Sequence, residues 1–382
     1  MRLFLRPNDG LFFRDGRPFS SGQQTEGYSI FPPLPSTLMG AIRSAYIAQE
    51  GGLIDFLDGK MEPAIGTHTS MQKASLQLRG VFVGQSGAID SVKSGQDEVY
   101  YPVPRDLVAA KNSADTRLFP LSVGKSDFYS NSRLENPLTY QGDEVVVSPT
   151  GWLVQSQLRQ FLLGPSSDLT YLKPDFIIDE PKIGIKRDTA TNTAEEGMLY
   201  RLAMKRFKTT DYGLVVDLSG IDQLAQEGLL RLGGEGKTCI RQPFDMRTNP
   251  LGDPDLKRLS ERVQESRSFK LYLATPAIFE QGWRPKCLGQ DGIWKIITNA
   301  GAGLQLQLIT AAVGNYITAG GWSIEGGRAK TAYRAVPAGS VYYFKLLEDT
   351  CATSLVDHFH NQNRSDLRRQ EGFGLTYVGI TD

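Results

Sequence analysis

Residues 32–52 read Pro32-Pro33-Leu34-Pro35-Ser36-Thr37-Leu38-Met39-Gly40-Ala41-Ile42-Arg43-Ser44-Ala45-Tyr46-Ile47-Ala48-Gln49-Glu50-Gly51-Gly52. A proline cluster, a hydroxyl residue, an apolar-periodic run and a closing glycine pair predict a helix over 38–50. Ser36 or Thr37 would cap its start, and glycine would follow its end. Leu38, Ala41, Ile42 and Ala45 fall on one face, which is then the buried one. Upstream, 2–13 is apolar and β-prone with a turn at Asn8-Asp9-Gly10, so it reads as a strand entering a hairpin or bulge. A strand followed by a helix is the opening of a small α+β unit.

The rest of the chain repeats that grammar. From 66 to 149 the signal is weak, with strand-like pieces at 76–85 and 145–148. A helix is expected at 152–163, and 182–208 reads as an extended hairpin with a mobile tip. A short helix near 221–227 then precedes Leu229-Leu230-Arg231-Leu232, a glycine-rich turn and a strand at 238–243. The polar stretch 248–268, with Pro250 and Pro254, is the candidate boundary and carries a short surface helix. Beyond it come a strand at 269–274, a helix or strand at 303–313, and a strand at 340–347. A helix at 353–361 and a final strand at 375–380 close the chain. Each half thus opens on a strand and closes with helix, glycine-bearing turn, strand. The expectation is two copies of an α+β unit, over 1–255 and 256–382, each with helices on one face of an antiparallel sheet.

Composition bounds the function. The 382 residues carry 42 Lys+Arg against 42 Asp+Glu, which excludes a histone-like or tail-driven nucleic-acid binder but not a local basic groove. Three cysteines, Cys239, Cys287 and Cys351, form no C-x-x-C pair, so neither a zinc knuckle nor a disulfide framework can be read. The apolar run at the start breaks too early for a signal peptide, and nothing reaches about eighteen apolar residues, so a cytoplasmic chain without membrane contact is expected.

Four segments carry possible chemistry. Gly233-Gly234-Glu235-Gly236-Lys237-Thr238 looks like a phosphate loop, but Arg231 stands where the Walker spacing needs glycine, and a strand rather than a helix follows. What survives is a tight turn whose bare amides can approach a phosphodiester, against the bland reading of a loop glycine cluster. Ser36, Gly40 and Arg43 share a helix stripe away from the buried face. Gly40 costs the helix on the order of 1 kcal/mol against alanine, which a backbone packed against it would explain. Arg43 would then supply a charge-assisted phosphate contact, or else be merely solvated. Between Lys182 and Lys208 seven Lys/Arg outnumber three Asp/Glu, and Met198, Leu199, Tyr200 and Phe207 interleave with the cations. Apolar tips flanked by cations, among them Lys186, Arg187 and Arg201 with Thr189 nearby, suit contact with bases and phosphates, although charge runs are usually solvated surface. Finally, Trp322 among four glycines with Arg328 and Lys330 suits single-strand stacking, and could equally be a core plug.

Catalytic signals are sparse. His358 and His360, two apart on an expected helix, do not share a face and cannot pair as metal ligands. His68 with Ser70 is the one acid/base candidate, and no partner is identifiable. No metal, cofactor or catalytic set is expected.

Taken together, Phe13-Arg-Asp-Gly-Arg-Pro-Phe19, Phe31-Pro-Pro-Leu-Pro-Ser-Thr-Leu-Met-Gly-Ala-Ile-Arg43, Ile183-Gly-Ile-Lys-Arg-Asp-Thr189, Glu196-Gly-Met-Leu-Tyr200, Leu232-Gly-Gly-Glu-Gly236 and the Gly-Gly-Trp at 320–322 resemble the third Cmr subunit of type III-B CRISPR effector complexes, a RAMP protein. The resemblance implies an α+β fold of two ferredoxin-like (RRM-type) modules with antiparallel sheets and long inserted loops and hairpins. It implies a non-catalytic RNA-binding subunit in antiviral defence, which caps the repeat-derived 5′ handle of the crRNA. It also implies contact with the large polymerase/cyclase-type subunit and with the backbone RAMP subunit. Arg43 falls on the helix that lines the RNA in such proteins, Lys186 and Arg187 on the projecting hairpin, and Gly233 to Lys237 on the first glycine-rich loop. Two other readings stay open: a RAMP endoribonuclease processing CRISPR precursor RNA, and an assembly protein with no RNA contact of its own.

Overall fold

A computed structural model describes residues 1–14, 26–67, 70–71, 73–89, 92–93, 96–111, 114–124, 136–164, 168–188, 190–298, 301, 303–323, 328–347 and 351–381. It is an α+β chain in which antiparallel sheets dominate and helices are few. Two compact units account for it: Met1–Glu98 with Asp175–Met246 and Thr318–Arg334, and Val99–Pro174 with Arg247–Ile317 and Ala335–Asp382.

In the first unit the strand Arg2–Pro7 lies centrally, antiparallel to Tyr212–Ser219 on one side and to Thr238–Pro243 on the other. Gln77–Gln85 continues the sheet beyond Tyr212–Ser219, and Gly228–Arg231 beyond Thr238–Pro243. Leu3, Phe4 and Leu5 are fully buried, so the opening strand is core. The helix runs Pro35–Glu50 and packs against Gln77–Gln85 and Gly228–Arg231.

Details of this unit depart from the expectation. The helix starts earlier than 38, with Pro35 in its first position and Leu34 as a cap without side-chain bonds. Proline there has its φ already set and loses no helical hydrogen bond, so Ser36 and Thr37 sit inside the first turn rather than capping it. Gly51 does end the helix, at φ 139°. The buried stripe is Pro35, Leu38, Met39, Ala41, Ile42 and Tyr46, with Ala45 half-buried. The opening strand stops at Pro7. After the Asn8-Asp9-Gly10 turn the chain does not fold back on itself, and Leu11 bridges Lys205 of the long hairpin instead.

Residues 221–227 form no helix. Ile221 and Leu224 are buried, and the Gln49 side chain donates to Gln223 O at 2.7 Å and accepts from the Ala225 amide at 2.9 Å. Contacts with the first helix therefore replace a helical ladder. Gly220 at φ 83° anchors the start: a Cβ there would lie 1.8 Å from Ser75 O.

The expected hairpin is present as Ile177–Arg187 against Ala194–Phe207, with a register shift between Ile185 and Arg187.

The second unit holds a six-stranded sheet in the order Ile293–Ile297, Gly303–Ala312, Val341–Leu346, Ser268–Leu273, Leu375–Ile380, Gln362–Asn363. The undecided 303–313 is thus a strand. Expected 152–163 divides into a strand, Trp152–Val154, and a helix, Gln155–Leu163. Helices here cover both faces of the sheet, not one. The helix Ala352–Phe359 sets Phe359 on Phe269, while Gln155–Leu163 sets Phe161 edge-on to Tyr272 and packs Leu162 on Gly379. Burial on both faces explains why every residue of Leu375–Ile380 is inaccessible. It also encloses a cation: Lys270 Nζ lies 3.6 Å from the Phe161 ring centroid and 3.9 Å from Asp106 Oδ2. That carboxylate accepts the Tyr343 hydroxyl at 2.6 Å.

The two units share one strand order. Numbering the principal strands of each by sequence, both run second, third, first, fourth. The first unit keeps the helix between strands one and two but none between three and four. The second keeps the helix between three and four, Ala352–Phe359, and has none among the described residues between one and two.

Candidate nucleic-acid interface

Three elements of the first unit converge at the hairpin's base. Even-numbered residues of the hairpin share one face: Glu180 opposes Met204, Lys182 opposes Leu202 and Gly184 opposes Tyr200. Leu202 and Met204 bury against Phe12, and Tyr200 packs beside them. Gly184 leaves room for that ring: a Cβ would stand 2.2 Å from Tyr200 Cζ, so a larger residue would push the Tyr200 side chain aside.

Charges close the junction. Asp9, from the Asn8-Asp9-Gly10 turn, pairs with Lys237 of the glycine-rich loop and with Arg206 of the hairpin. Arg206 also grips Glu180. Lys182 Nζ reaches Glu235 Oε2 at 2.6 Å. The Lys237 ammonium, aided by the Gly10 amide and Arg206, holds the Asp9 carboxyl down at about 2. Arg206 lowers Glu180 likewise and is itself raised, chiefly by Glu180.

The glycine-rich loop is built to approach its own chain. The Gly234 amide donates to Phe12 O at 2.9 Å, and a Cβ on Gly233, at φ 81°, would lie 2.6 Å from that oxygen. Gly236 is different: its φ of 65° favours glycine, yet a Cβ would meet nothing within 4 Å. Its surroundings are open. Lys237, expected as a phosphate contact, is engaged with Asp9.

The hairpin's other face is exposed and mixed. Ile183 (66 % exposed) opposes Arg201, and Ile185 (51 %) follows two residues on. At the tip, Arg187 Nη2 donates to Asn192 Oδ1 at 2.7 Å, and Asp188 Oδ1 accepts the amides of Ala190 and Thr191 at 2.8 Å each. Lys186 is placed by its backbone, and Thr189 lies outside the described residues.

Other expected site residues sit on separate elements. Ser36 is half-buried and Gly40 exposed, and a Cβ on Gly40 would meet nothing within 4 Å, so among the described residues no backbone crosses there. Arg43 is not merely solvated: its Nη2 donates to Thr67 O at 2.6 Å, and the guanidinium lies 5.4 Å from the Phe56 ring centroid. Trp322 is no core plug. It pairs with Ala329 in a two-stranded hairpin, with Ser323 opposite Arg328, and is 61 % exposed. Lys330, exposed, closes that hairpin with its amide on Gly321 O at 2.9 Å.

His68 lies outside the described residues. His360 caps the C-terminus of Ala352–Phe359, its Nδ1 accepting the Val378 amide at 3.2 Å and its Nε2 meeting Asn249 Oδ1 at 2.9 Å. Burial pushes it down to about 4, and His358 also to about 4, with Arg364 and Arg369 adding to the effect. Cys239 is buried, and Cys287 and Cys351 are exposed. Among the described residues no His/Cys/Asp/Glu group could hold a metal, and no helix is long and apolar enough to cross a membrane.

Sequence reasoning missed Asp9, Glu180 and Arg206. The turn at Asn8-Asp9-Gly10 was legible, but the partners of Asp9 lie 197 and 228 residues away, so no local spacing signals them.

The architecture is α+β, with the same strand order in both units and a charge-locked hairpin. Residues 3–381 match the family described as CRISPR-associated protein (Cas_Cmr3), and the chain belongs to that family. Among solved structures, a chain from the cryo-EM structure of the type III-B Cmr-beta bound to cognate target RNA is similar over 98 % of this chain and 96 % of that one. Its identity is 15 % and its TM-score 0.52, a likeness of fold. A chain from the same complex bound to target RNA and AMPPnP gives 16 % identity and a TM-score of 0.49, covering 96 % and 91 %. No curated protein matches.

Proposed function

We propose that this chain is a non-catalytic, RNA-binding subunit of a type III-B CRISPR effector complex in the cytoplasm, capping the repeat-derived 5′ handle of the crRNA. It would dock the large polymerase/cyclase-type subunit and the backbone RAMP subunit. Each sheet would be a ferredoxin-like module: the shared strand order, second-third-first-fourth with every neighbour antiparallel, supports that reading. The proposed boundary at 255/256 falls between the two strand sets, within the helix Asp253–Ser266.

The observation that carries the RNA reading is the junction at the hairpin's base. Six ion-paired groups and a buried apolar cluster fix a long two-stranded arm beside the glycine-rich loop, where Gly236 faces open space. A pre-positioned arm bearing Lys186, Arg187, Thr189 and Arg201 can follow a phosphate backbone without losing much freedom on binding. Ser36, Gly40 and Arg43, the loop residues Gly233, Gly234, Gly236 and Lys237, and the exposed hairpin of Trp322, Arg328 and Lys330 complete the proposed contact set. His360, with both ring nitrogens occupied, argues against the endoribonuclease alternative at that end of the chain.

The test is handle-RNA binding by the double variant Lys186→Ala/Arg187→Ala. Its affinity should fall, and the slope of log K against log salt should shrink by about 1.4, two single-strand phosphate contacts at ~0.7 each. Wild-type affinity and slope would remove the hairpin from the site. Metal-independent cleavage of repeat RNA, lost in His68→Ala, would favour the enzyme instead.

A further inference from the structure

The short helix Leu53–Leu57, in the first unit, turns aliphatic side chains towards solvent. Leu53 is 55 % exposed, Ile54 76 % and Leu57 56 %. Leu53 and Leu57 stand four apart with Ile54 beside them, so the three share one side of the helix. Phe56 turns inward instead: it is buried, with the Arg43 guanidinium 5.4 Å from its ring centroid.

The helix is well held from beneath. The Gly52 amide donates to Ile47 O at 2.7 Å, tying it to the end of Pro35–Glu50, and the Asp58 amide donates to Ile54 O at 2.9 Å. Met61 and Ile65, in and before the next short helix Glu62–Ile65, are buried. The amides of Ser75 and Leu76 donate to Pro63 O and Ala64 O at 2.9 Å each, fixing that helix to the chain that enters Gln77–Gln85. Phe56 seats the exposed helix, so packing within this unit leaves Leu53, Ile54 and Leu57 without a role.

The rim of the patch is acidic. From Ser44 to Ile65 the chain has four acids, Glu50, Asp55, Asp58 and Glu62, against one cation, Lys60. Lys60 pairs with Asp55, and Lys73 reaches Glu62 at 3.5 Å. Glu50 Oε1 accepts a neutral donor, Gln49 Nε2, at 2.7 Å. Among the described residues neither Glu50 nor Asp58 forms an ion pair.

Contiguous exposed aliphatics within a polar rim mark a contact surface, and here the rim selects the occupant. Uncompensated carboxylates repel phosphates, so RNA and an anionic membrane are both unsuited. A second copy docked about a two-fold axis would set this rim against itself. We propose that Leu53, Ile54 and Leu57 dock into an apolar depression on a different protein, ringed by Lys and Arg side chains that pair with Glu50 and Asp58. The aliphatics supply apolar burial, and the carboxylates supply orientation and a faster encounter. The inference rests on the reading that the chain works inside a multi-subunit complex, and not on handle capping.

The experiment replaces Ile54 by the photo-crosslinker p-benzoylphenylalanine in the full chain, assembled in its native host, and maps the crosslinked residue after irradiation. The same probe at Leu57 serves as a second site. A crosslink is expected to one apolar segment of another subunit, with Lys or Arg beside it. Binding of that purified subunit to the full chain should weaken about tenfold in Ile54→Ser, and about tenfold in Asp58→Lys at low salt. Both positions are at the surface, so the thermal midpoint should stay unchanged, which separates lost docking from lost folding. A crosslink to RNA, to a second copy or to a segment without Lys or Arg would overturn the surface. So would no crosslink from either position, or unchanged affinity in both variants. The 5′ ends of RNA recovered with the same complex are sequenced in parallel. Handle-bearing RNA without a crosslink overturns the surface alone, and a crosslink without handle-bearing RNA overturns handle capping alone.

Discussion

Lys182 on the hairpin and Glu235 in the glycine-rich loop stand 53 residues apart and meet at 2.6 Å, Nζ to Oε2. The pair joins the two elements proposed to hold RNA, and it neutralises a cation that a phosphate could use. Both partners are well exposed, so the bond itself stabilises the fold little. Glu235→Gln should leave the thermal midpoint nearly unchanged while releasing Lys182. Handle binding should tighten at low salt, and the salt slope should steepen by about 0.7, one single-strand contact. An unchanged slope would mean that Lys182 lies off the RNA path.

Asp9 makes the junction acid-sensitive. Its folded pKa, about 2, lies below the ordinary 3.8, mainly through Lys237. A carboxylate held down in the folded state contributes stability above about pH 4, lost as pH falls towards 2. The side chain is 44 % exposed, so after screening the contribution is on the order of 1 kcal/mol. Asp9→Asn should cost about that much at pH 7 in denaturant titrations, and flatten the stability curve between pH 4 and 2.

The loop glycines should not be equivalent. Gly233 combines φ 81° with a Cβ position 2.6 Å from Phe12 O, whereas Gly236 has φ 65° and open surroundings. Gly236→Ala should cost about 1 kcal/mol from its φ alone, and Gly233→Ala about 2–3 kcal/mol, because backbone must also shift. Equal costs in chemical denaturation would contradict the close approach of the loop to residue 12.

His360 gives a second pH window. Held at about 4 against the ordinary 6.5, it is disfavoured as an imidazolium, so stability is complete above pH 6.5 and falls as pH drops towards 4. His360→Phe should lose ~1–3 kcal/mol at pH 7, because the Val378 amide loses its acceptor. The same variant should show a shallower decline from pH 6.5 to 4, with the remainder owing to His358.

Local chemistry was the legible part of the fold. The strands Thr238–Pro243 and Leu375–Ile380 and the helix after the proline cluster are marked by alternation, propensity and closing glycines at their own positions. Residues 221–227 mislead because Leu, Ala, Gln and Glu favour a helix, yet two bonds to the Gln49 side chain hold the segment otherwise. Trp152–Val154 likewise becomes a strand because it pairs with residues 100–102, a partner that no short window contains. At the candidate site, the glycines and cations announced themselves by type. Their partners, Asp9 for Lys237 and Thr67 for Arg43, depended on the fold.

The threading of the two units sets a schedule for synthesis. Thr318–Arg334 belongs to the first unit, and Val99–Pro174 to the second. A ribosome must therefore release 334 of the 382 residues before the unit that begins at Met1 has all its parts. Its sheet can pair once Pro243 has emerged, but the hairpin carrying Trp322 arrives last. Premature termination in the last third but before Arg334 would thus truncate both units at once, leaving a product without either finished surface for quality control to discard.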